Sequence, residues 1–207
     1  MVPIIGVVLR STGTRMKNKN IKTATLYFLT RSSPFGSVAL IWSVYKGQPK
    51  IFRVLISTPN ISAKHRVVTL FPDSQNTACS EIDAVADDIE TFLSGEDMQF
   101  SLEIVRMDLC TEFQQEVLCA EHGIPRGAVS TYQRIARHVG RPRGARAVGN
   151  ALATNPFPII IPCHRAIRTD LTIGGYQGGK RMKQTLLQME GIDFDKTGNV
   201  ATKNFVY

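Results

Sequence analysis

The chain has 207 residues, of which 43% are hydrophobic, enough to build one good-sized domain or two small ones. Its 25 lysines and arginines against 17 acidic residues give a formal net charge of +8, which favours a polyanionic partner such as nucleic acid but also fits an ordinary basic protein. Four cysteines without CxxC spacing argue against a disulfide scaffold and for a reducing compartment. No apolar run is long enough for a transmembrane helix.

The first half of the chain alternates in hydrophobicity and is rich in β-formers, which predicts a β-meander followed by a helix. Strands are predicted over Thr23–Arg31, Ser37–Tyr45 and Ile51–Ser57. The segment Arg66–Phe71 is predicted to add an edge strand. Ser80 is predicted to cap an amphipathic helix that ends at Gly95.

The second half contains two capping-box patterns, each ahead of a helical repeat of apolar residues. Thr111 with Gln114 predicts the start of one helix. Ser130 with Gln133 predicts the start of the next. A turn then leads into residues 145–153, and the succession of helix, short glycine-containing turn and helix is typical of the helix-turn-helix motif.

The helix predicted over residues 145–153 has almost no bulky side chains, because alanine or glycine occupies every second position. Such a helix can approach another surface closely, either inside its own protein or in a nucleic-acid groove. Cations beside a thin helix suit phosphates, and four arginines cluster here: Arg137, Arg141, Arg143 and Arg146. Without long side chains that reach base edges, the helix is expected to bind DNA with little sequence preference.

Three prolines frame the apolar run from Asn155 to Arg165. Proline fixes φ, removes a backbone donor and biases the preceding residue towards extended backbone. The run is therefore predicted to be a stiff, buried ribbon that is neither a regular helix nor a central strand. It ends at Cys163. A lone buried cysteine is more often structural than reactive, and the adjoining His164 alone does not change that preference.

Two further features follow the ribbon. Residues 170–179 place four glycines around Tyr176, which either lets the backbone approach a ligand closely or makes an ordinary surface loop. A last amphipathic helix is predicted over Lys180–Glu190, with Gly191 ending it. Glu190 lies in the final turn, where the helix dipole disfavours a negative charge. It therefore either has a specific partner or is merely solvated.

Short motifs between about Phe113 and Gly191 resemble, in the same order, those of the O6-alkylguanine-DNA alkyltransferases, also called methylated-DNA–protein-cysteine methyltransferases. The motifs are Ile124-Pro125-Arg126-Gly127, Ser130-Thr131-Tyr132, Arg146-Ala147-Val148-Gly149, Asn155-Pro156, Ile161-Pro162-Cys163-His164-Arg165, Gly174-Gly175-Tyr176, and Leu186-Leu187 with Glu190-Gly191. The first half resembles the family only weakly, through Ser33-Pro34-Phe35-Gly36 and the strands after it.

The resemblance implies an α+β fold. A small antiparallel β-sheet with a helix, RNase H-like in the family, is expected to precede a helical, winged-helix-like domain that carries the helix-turn-helix and the cysteine. We expect a flexible N-terminal extension over residues 1–20, an α/β support domain over 21–107, and a DNA-binding and alkyl-acceptor domain over 108–207.

The family moves an alkyl group from O6 of guanine, and from O4 of thymine, to its own cysteine, once and irreversibly; this position corresponds to Cys163. The resemblance implies that His164 deprotonates Cys163 through a bound water, because the reaction needs a thiolate. Glu190 is implied to orient the imidazole. Tyr132 is implied to donate to N3 of the guanine, and Asn155 to tie the helix pair to the ribbon.

Because O6 lies inside the duplex stack, the family flips the base out through the minor groove. Arg146 is implied to fill the gap that the base leaves. Further substrate or DNA contacts are implied for Ala147, Gly149, Ala151, Arg165, Ala166, Tyr176 and Gln177. Among these, the backbone groups of Ala166 and Gln177 are expected, with that of Cys163, to read the base edge and O6. Ala166 and Gln177 also differ from the branched and small residues usual there, which leaves the tolerated alkyl size open.

No cofactor and no metal site are expected. The expected partner is double-stranded DNA containing O6-alkylguanine, with no membrane, for a monomer in the cytoplasm of a prokaryote or the nucleus of a eukaryote. Two alternatives stay open. One is a relative that grips damaged DNA without repairing it, although such proteins lack the acceptor cysteine. The other is a helix-turn-helix regulator with an incidental cysteine, for which sequence-specific binding would survive Cys163→Ser.

Overall fold

A computed structural model describes residues 24–207, so the extension predicted over residues 1–20 lies outside the described residues. It confirms the α+β fold class. The strands are β1 (Tyr27–Arg31), β2 (Val38–Tyr45), β3 (Gln48–Ile56), β4 (Gln75–Asn76), β5 (Ser130–Thr131) and β6 (Ala166–Ile167). The α-helices are α1 (Ala63–Leu70), α2 (Ser80–Leu93), α3 (Glu112–His122), α4 (Tyr132–His138), α5 (Ala145–Ala153) and α6 (Lys180–Met189).

Four strands form one sheet in the order β3-β2-β1-β4. The pairs β1–β2 and β2–β3 are antiparallel as predicted, but β4 runs parallel to β1, so the sheet is mixed. Strand β2 is almost continuously apolar because both faces of the sheet are covered. Val38, Leu40 and Trp42 pack into the cluster that contains α2, whereas Ala39 and Ile41 pack into the cluster that contains α1.

The edge strand predicted over Arg66–Phe71 is wrong, because most of this segment belongs to helix α1. Ser62 caps the helix by accepting a hydrogen bond from the backbone N–H of His65 at 3.1 Å. Ala63 and Val67, one helical turn apart, are both buried against the sheet. The β-branched residues in this stretch favour a strand only weakly, and the capping serine together with burial at helical spacing outweighs them.

Two predicted caps are displaced by one residue. Helix α2 includes Ser80, and Cys79 occupies the cap position without a side-chain hydrogen bond. Helix α4 is capped by Thr131, because Ser130 lies in β5 and its hydroxyl instead donates to a backbone carbonyl near the C-terminal end. The cap predicted at Thr111 is confirmed by its side-chain hydrogen bond to the first turn of α3.

The two halves of the described chain share one hydrophobic cluster, which runs from the sheet through α2 into α3, α5 and α6. At the sheet edge, the N–H of Val54 in β3 donates to the carbonyl of Pro156 at 2.8 Å. Arg126 donates to carbonyls just after α2 and at the end of α6, at distances between 2.6 and 2.8 Å. The first half therefore braces the ribbon and the last helix, while the domain boundary near residue 107 stays a prediction.

Candidate active site

The ribbon ahead of the cysteine is buried throughout residues 155–163, in keeping with the prediction from its prolines. The side chain of Asn155 forms hydrogen bonds with two backbone groups of the ribbon. Oδ1 accepts from the N–H of Phe157 at 2.9 Å, and Nδ2 donates to the carbonyl of Ile161 at 3.1 Å. Ile159 has a φ of 77°, a region that β-branched residues rarely adopt, so the turn of the ribbon is strained. Asn155 thus fixes a strained turn directly before Cys163.

Cys163 begins a short 3-10 turn, Cys163–Arg165, and is only 5% exposed. Its N–H donates to the carbonyl of Ile161 at 2.8 Å. Burial raises the pKa of the thiol to about 12, although the side chain of Asn155 acts in the opposite direction. The thiol is therefore protonated at neutral pH, and chemistry through its thiolate requires a base.

His164 and Glu190 form a buried pair in which 2.9 Å separates Nε2 from Oε1. Burial alone would raise the pKa of Glu190, but His164 and Arg165 outweigh it and hold the pKa at about 2. Because an ionised carboxylate only accepts hydrogen bonds, Nε2 carries the proton and Nδ1 is the acceptor. Burial lowers the pKa of His164 despite Glu190, so the imidazole is neutral. Nδ1 is buried without a hydrogen-bond partner among residues 24–207, which leaves it available as a base.

Arg165 lies in the protein interior, which corrects the DNA contact implied for it. Its side chain is buried, and Nε and Nη2 donate to the two oxygens of Glu190 at 2.9 and 2.7 Å. Nη1 donates to the carbonyl of Ile124 at 2.6 Å. This bidentate pair holds the Glu190 carboxylate in the orientation that His164 uses. Glu190 therefore has two specific partners, which offset the unfavourable helix dipole at the end of α6.

Two tyrosines lie close to the cysteine–histidine turn. Tyr132 is the first residue of α4, and burial raises the pKa of its hydroxyl to about 12, so the hydroxyl remains a hydrogen-bond donor at neutral pH. This hydroxyl abuts Gly174, where an added Cβ would approach it to 2.8 Å. The ring of Tyr176 lies edge-on to that of His164, with 6.2 Å between the ring centroids. The glycine-rich loop over residues 174–179 is thus packed beside both the tyrosine of α4 and the imidazole.

Gln177 and Ala166 differ in their availability to a substrate. Gln177 is half-buried, and its Nε2 donates to the backbone carbonyl of Asn155 at 2.7 Å. Ala166 is fully buried in β6, and its carbonyl accepts from Nζ of Lys183 at 2.6 Å. A carbonyl oxygen has two lone pairs, so one acceptor position of Ala166 remains, and the base contact implied for its backbone stays a prediction.

The thin helix α5 turns one face to solvent. The exposed or half-exposed positions on it are Ala145, Arg146, Ala147, Gly149, Asn150 and Ala153. Ala151, by contrast, packs with Val148 and Leu152 into the core, so the DNA contact implied for Ala151 is wrong. These three positions recur at the spacing of one helical face, a signal that was readable from the sequence. Sequence reasoning missed Asn150 and Ala153, which lie on the exposed side with Arg146.

Comparisons with known proteins match the part of the chain that contains the candidate site. The segment 112–192 matches the family described as 6-O-methylguanine DNA methyltransferase, DNA binding domain. A methylated-DNA–protein-cysteine methyltransferase from Methanothermobacter thermautotrophicus is 45% identical over 114 residues, which cover 55% of this chain and 64% of that protein. Its counterpart from Mycobacterium leprae is 46% identical over 103 residues, 49% of this chain and 61% of that protein. These alignments thus span less than two thirds of either relative.

Solved structures extend the likeness to the first half of the chain. The crystal structure of Mycobacterium tuberculosis O6-methylguanine methyltransferase is 30% identical, with a TM-score of 0.63, and the match covers 87% of this chain and 97% of that one. The chain belongs to the methylated-DNA–protein-cysteine methyltransferase family. A structure of the M. tuberculosis protein in complex with DNA matches with a TM-score of 0.61 at 30% identity, over 79% of this chain and 92% of that one.

Two buried titratable residues near the cysteine of this methyltransferase-family protein escaped sequence reasoning. Lys183 on α6 is fully buried; burial lowers its pKa to about 8, and its Nζ donates to the carbonyls of Ala166 and Gly175 at 2.6 and 3.4 Å. Glu121 on α3 is also fully buried, burial raises its pKa to about 8, and neither carboxylate oxygen has a hydrogen-bond partner among the described residues.

Helical phase is the signal that marks both residues. Lys183 lies one turn before Leu186 and Leu187 on the inner face of α6. Glu121 lies one turn after Val117 and Leu118 on the inner face of α3. In both helices, the charged residue in the apolar phase faces the core.

Neither a metal-binding cluster nor a membrane-spanning helix is found in residues 24–207. In this range, no three or more His, Cys, Asp or Glu side chains come together in a way that could hold a metal ion. The helices of the same range include none with the length and hydropathy that a membrane span requires. All four cysteines are free thiols.

Proposed function

We propose that this protein repairs alkylated DNA by direct reversal, accepting an alkyl group from O6 of guanine, and from O4 of thymine, on Cys163 once per molecule. The observation that carries the proposal is a neutral histidine, oriented by the Glu190 carboxylate, next to a buried thiol on a ribbon that follows a thin cationic helix. The names of the family relatives and the DNA complex of the M. tuberculosis protein support it.

The proposed reaction is one displacement at the alkyl carbon. Nδ1 of His164 takes the thiol proton of Cys163 through a water, and the sulfur attacks the carbon. The S–C bond forms as the C–O6 bond breaks, and the bonding pair leaves with O6. The purine anion takes up the proton that left the thiol and becomes guanine, while the Tyr132 hydroxyl donates to N3. Glu190 stabilises the transient imidazolium, and the stable thioether prevents a second turnover.

The exposed face of α5 is proposed to enter the minor groove of double-stranded DNA. Ala147 and Gly149 allow close approach, and Arg146 fills the space that the flipped base leaves. Residues 108–207 would then form the DNA-binding and alkyl-acceptor domain and residues 21–107 its support. The protein is proposed to act as a monomer wherever the cell holds its DNA, the cytoplasm of a prokaryote or the nucleus of a eukaryote.

Mass spectrometry tests the proposal directly. The full chain is incubated with duplex DNA carrying O6-methylguanine, and its intact mass and the peptide that contains Cys163 are measured. We expect one added methyl group per molecule in the native protein and in Cys119→Ser, which removes an exposed thiol of α3. We expect none in Cys163→Ser. DNA binding by the native protein without any gain in mass would refute the transfer and favour a protein that grips damaged DNA without repairing it.

A further inference from the structure

The side chain of Gln177 bridges two elements that flank the reactive cysteine. Its Nε2 donates to the backbone carbonyl of Asn155 at 2.7 Å. The side chain of Asn155 donates to the carbonyl of Ile161, which also accepts from the N–H of Cys163. On the other side, Gln177 directly follows Tyr176, whose ring lies beside that of His164. The hydrogen bond therefore joins the glycine-rich loop to the start of the ribbon that ends at Cys163.

The positions near both ends of this loop are glycines, which are held by close packing against neighbouring side chains. An added Cβ at Gly174 would collide with the Tyr132 hydroxyl, and one at Gly178 would collide with the sulfur of Met182. Within residues 174–179, all but two positions are glycine. The hydrogen bond of Gln177 is thus the side-chain connection by which the middle of the loop is fastened across to the ribbon.

The length of the glutamine side chain matters for this connection. The Gln177 side chain reaches from the glycine-rich loop to the ribbon, whereas a serine or an alanine at the same position is too short to reach the Asn155 carbonyl.

We infer that Gln177 is a specificity-determining residue, whose side chain latches the glycine-rich loop to the ribbon and thereby restricts the alkyl groups that reach Cys163 to small ones. The inference rests on the alkyl transfer proposed above. Cys163 is only 5% exposed, so a larger substituent must displace the neighbouring residues further than methyl does. The loop lacks helical and strand hydrogen bonds, so it is the wall that moves most readily once the latch is open.

The test compares a small and a bulky alkyl group on the free base, which avoids any contribution from DNA binding. Time courses of intact mass give the rate constants for alkylation of the full chain by O6-methylguanine and by O6-benzylguanine. In Gln177→Ser the benzyl-to-methyl rate ratio is expected to rise about tenfold, equivalent to about 1.4 kcal/mol, the strength of an ordinary hydrogen bond. Gln177→Glu, which cannot donate to a carbonyl, is expected to raise the ratio in the same direction. Gln188→Ser, exposed on α6, is the matched control and is expected to leave the ratio unchanged.

The outcomes separate the latch from the proposed function. An unchanged ratio in both Gln177 variants, with methyl transfer measurable in the native protein, would overturn the latch alone. No methyl transfer from duplex DNA to the native protein would overturn the proposed function. The latch is then judged by labelling Cys163 with iodoacetamide and mapping its peptide: about tenfold faster labelling in Gln177→Ser supports it, and equal labelling overturns it.

Discussion

The buried carboxyl of Glu121 is expected to lower the free energy of unfolding as pH rises towards neutrality. Its side chain is fully buried without a hydrogen-bond partner among the described residues, and burial raises its pKa from 4.5 to about 8. Between these two values the folded protein holds a proton that the unfolded chain has released, so the contribution of Glu121 to stability is highest at low pH and falls as pH rises through this window. The slope for one such group is about 1.4 kcal/mol per pH unit, or about 3 kcal/mol between about pH 5 and pH 7.

Glu121→Gln keeps the shape of the side chain but cannot ionise. The free energy of unfolding of the variant, relative to that of the native protein, is therefore expected to increase by about 3 kcal/mol from about pH 5 to pH 7. The nearby Lys183 does not interfere in this range. Its pKa is lowered by burial from 10.5 to about 8, so its own effect is a gain in stability as pH rises between those values.

Urea denaturation at several pH values, followed through the fluorescence of the buried Trp42, measures this difference. Glu116→Gln is the matched control, because Glu116 is exposed on the same helix and its removal is expected to leave the pH dependence unchanged. A Glu121→Gln difference that stays constant with pH would show that burial does not control this carboxyl, and the reasoning would fail.

Two further predictions concern residues of the candidate site. Glu190→Gln leaves Arg165 with an uncompensated buried charge and is expected to cost about 3 kcal/mol of unfolding free energy near neutral pH. Because the pKa of Glu190 is held at about 2, the difference in free energy of unfolding between the native protein and Glu190→Gln is present above pH 4.5 and lost as pH falls through about 2. Urea unfolding in which this difference does not decrease in acid would contradict the prediction. Arg146→Ala is expected to slow methyl transfer from duplex DNA at least about tenfold while changing the reaction with free O6-benzylguanine by less than about twofold, since only duplex requires base flipping. Arg143→Ala, on the preceding turn, is its control, and equal losses on both substrates would exclude the proposed role of Arg146.

The sequence predicts best those elements whose local signals agree with their surroundings. Thr111 caps α3 because its hydroxyl satisfies a backbone donor whatever the rest of the fold does. Helix α1 was misread because its identity depends on which residues face the sheet, and Ala63 and Val67 reveal that only when the sheet is in place. The parallel strand β4 was missed for the same reason, since two exposed polar residues pair with β1 through backbone groups alone.

The candidate site divides in a similar way. Cys163 and His164 are adjacent in sequence, and the position of Glu190 against the helix dipole raised the possibility of a partner. The resemblance of the motifs to the alkyltransferase family then brought these three residues together. Arg165 was misplaced because an arginine in a basic protein gives no sign of whether its partner is a phosphate or a buried carboxylate. Ala151 was misplaced although its helical phase with Val148 was available.

Lys183 and Glu121, which were not identified from the sequence, both influence the pKa of Cys163. The positive charge of Lys183 lowers the pKa of Cys163, and a negative charge on Glu121 raises it. Because burial raises the pKa of Glu121 to about 8, this carboxyl is neutral at neutral pH and its unfavourable influence on the thiolate is absent. The influence of Lys183 then predominates below that pH, so the buried pair favours the thiolate in the range where His164 is neutral and able to accept the proton. A buried carboxyl without a hydrogen-bond partner among residues 24–207 costs stability, yet in its protonated form it does not oppose the influence of the Lys183 ammonium group on Cys163.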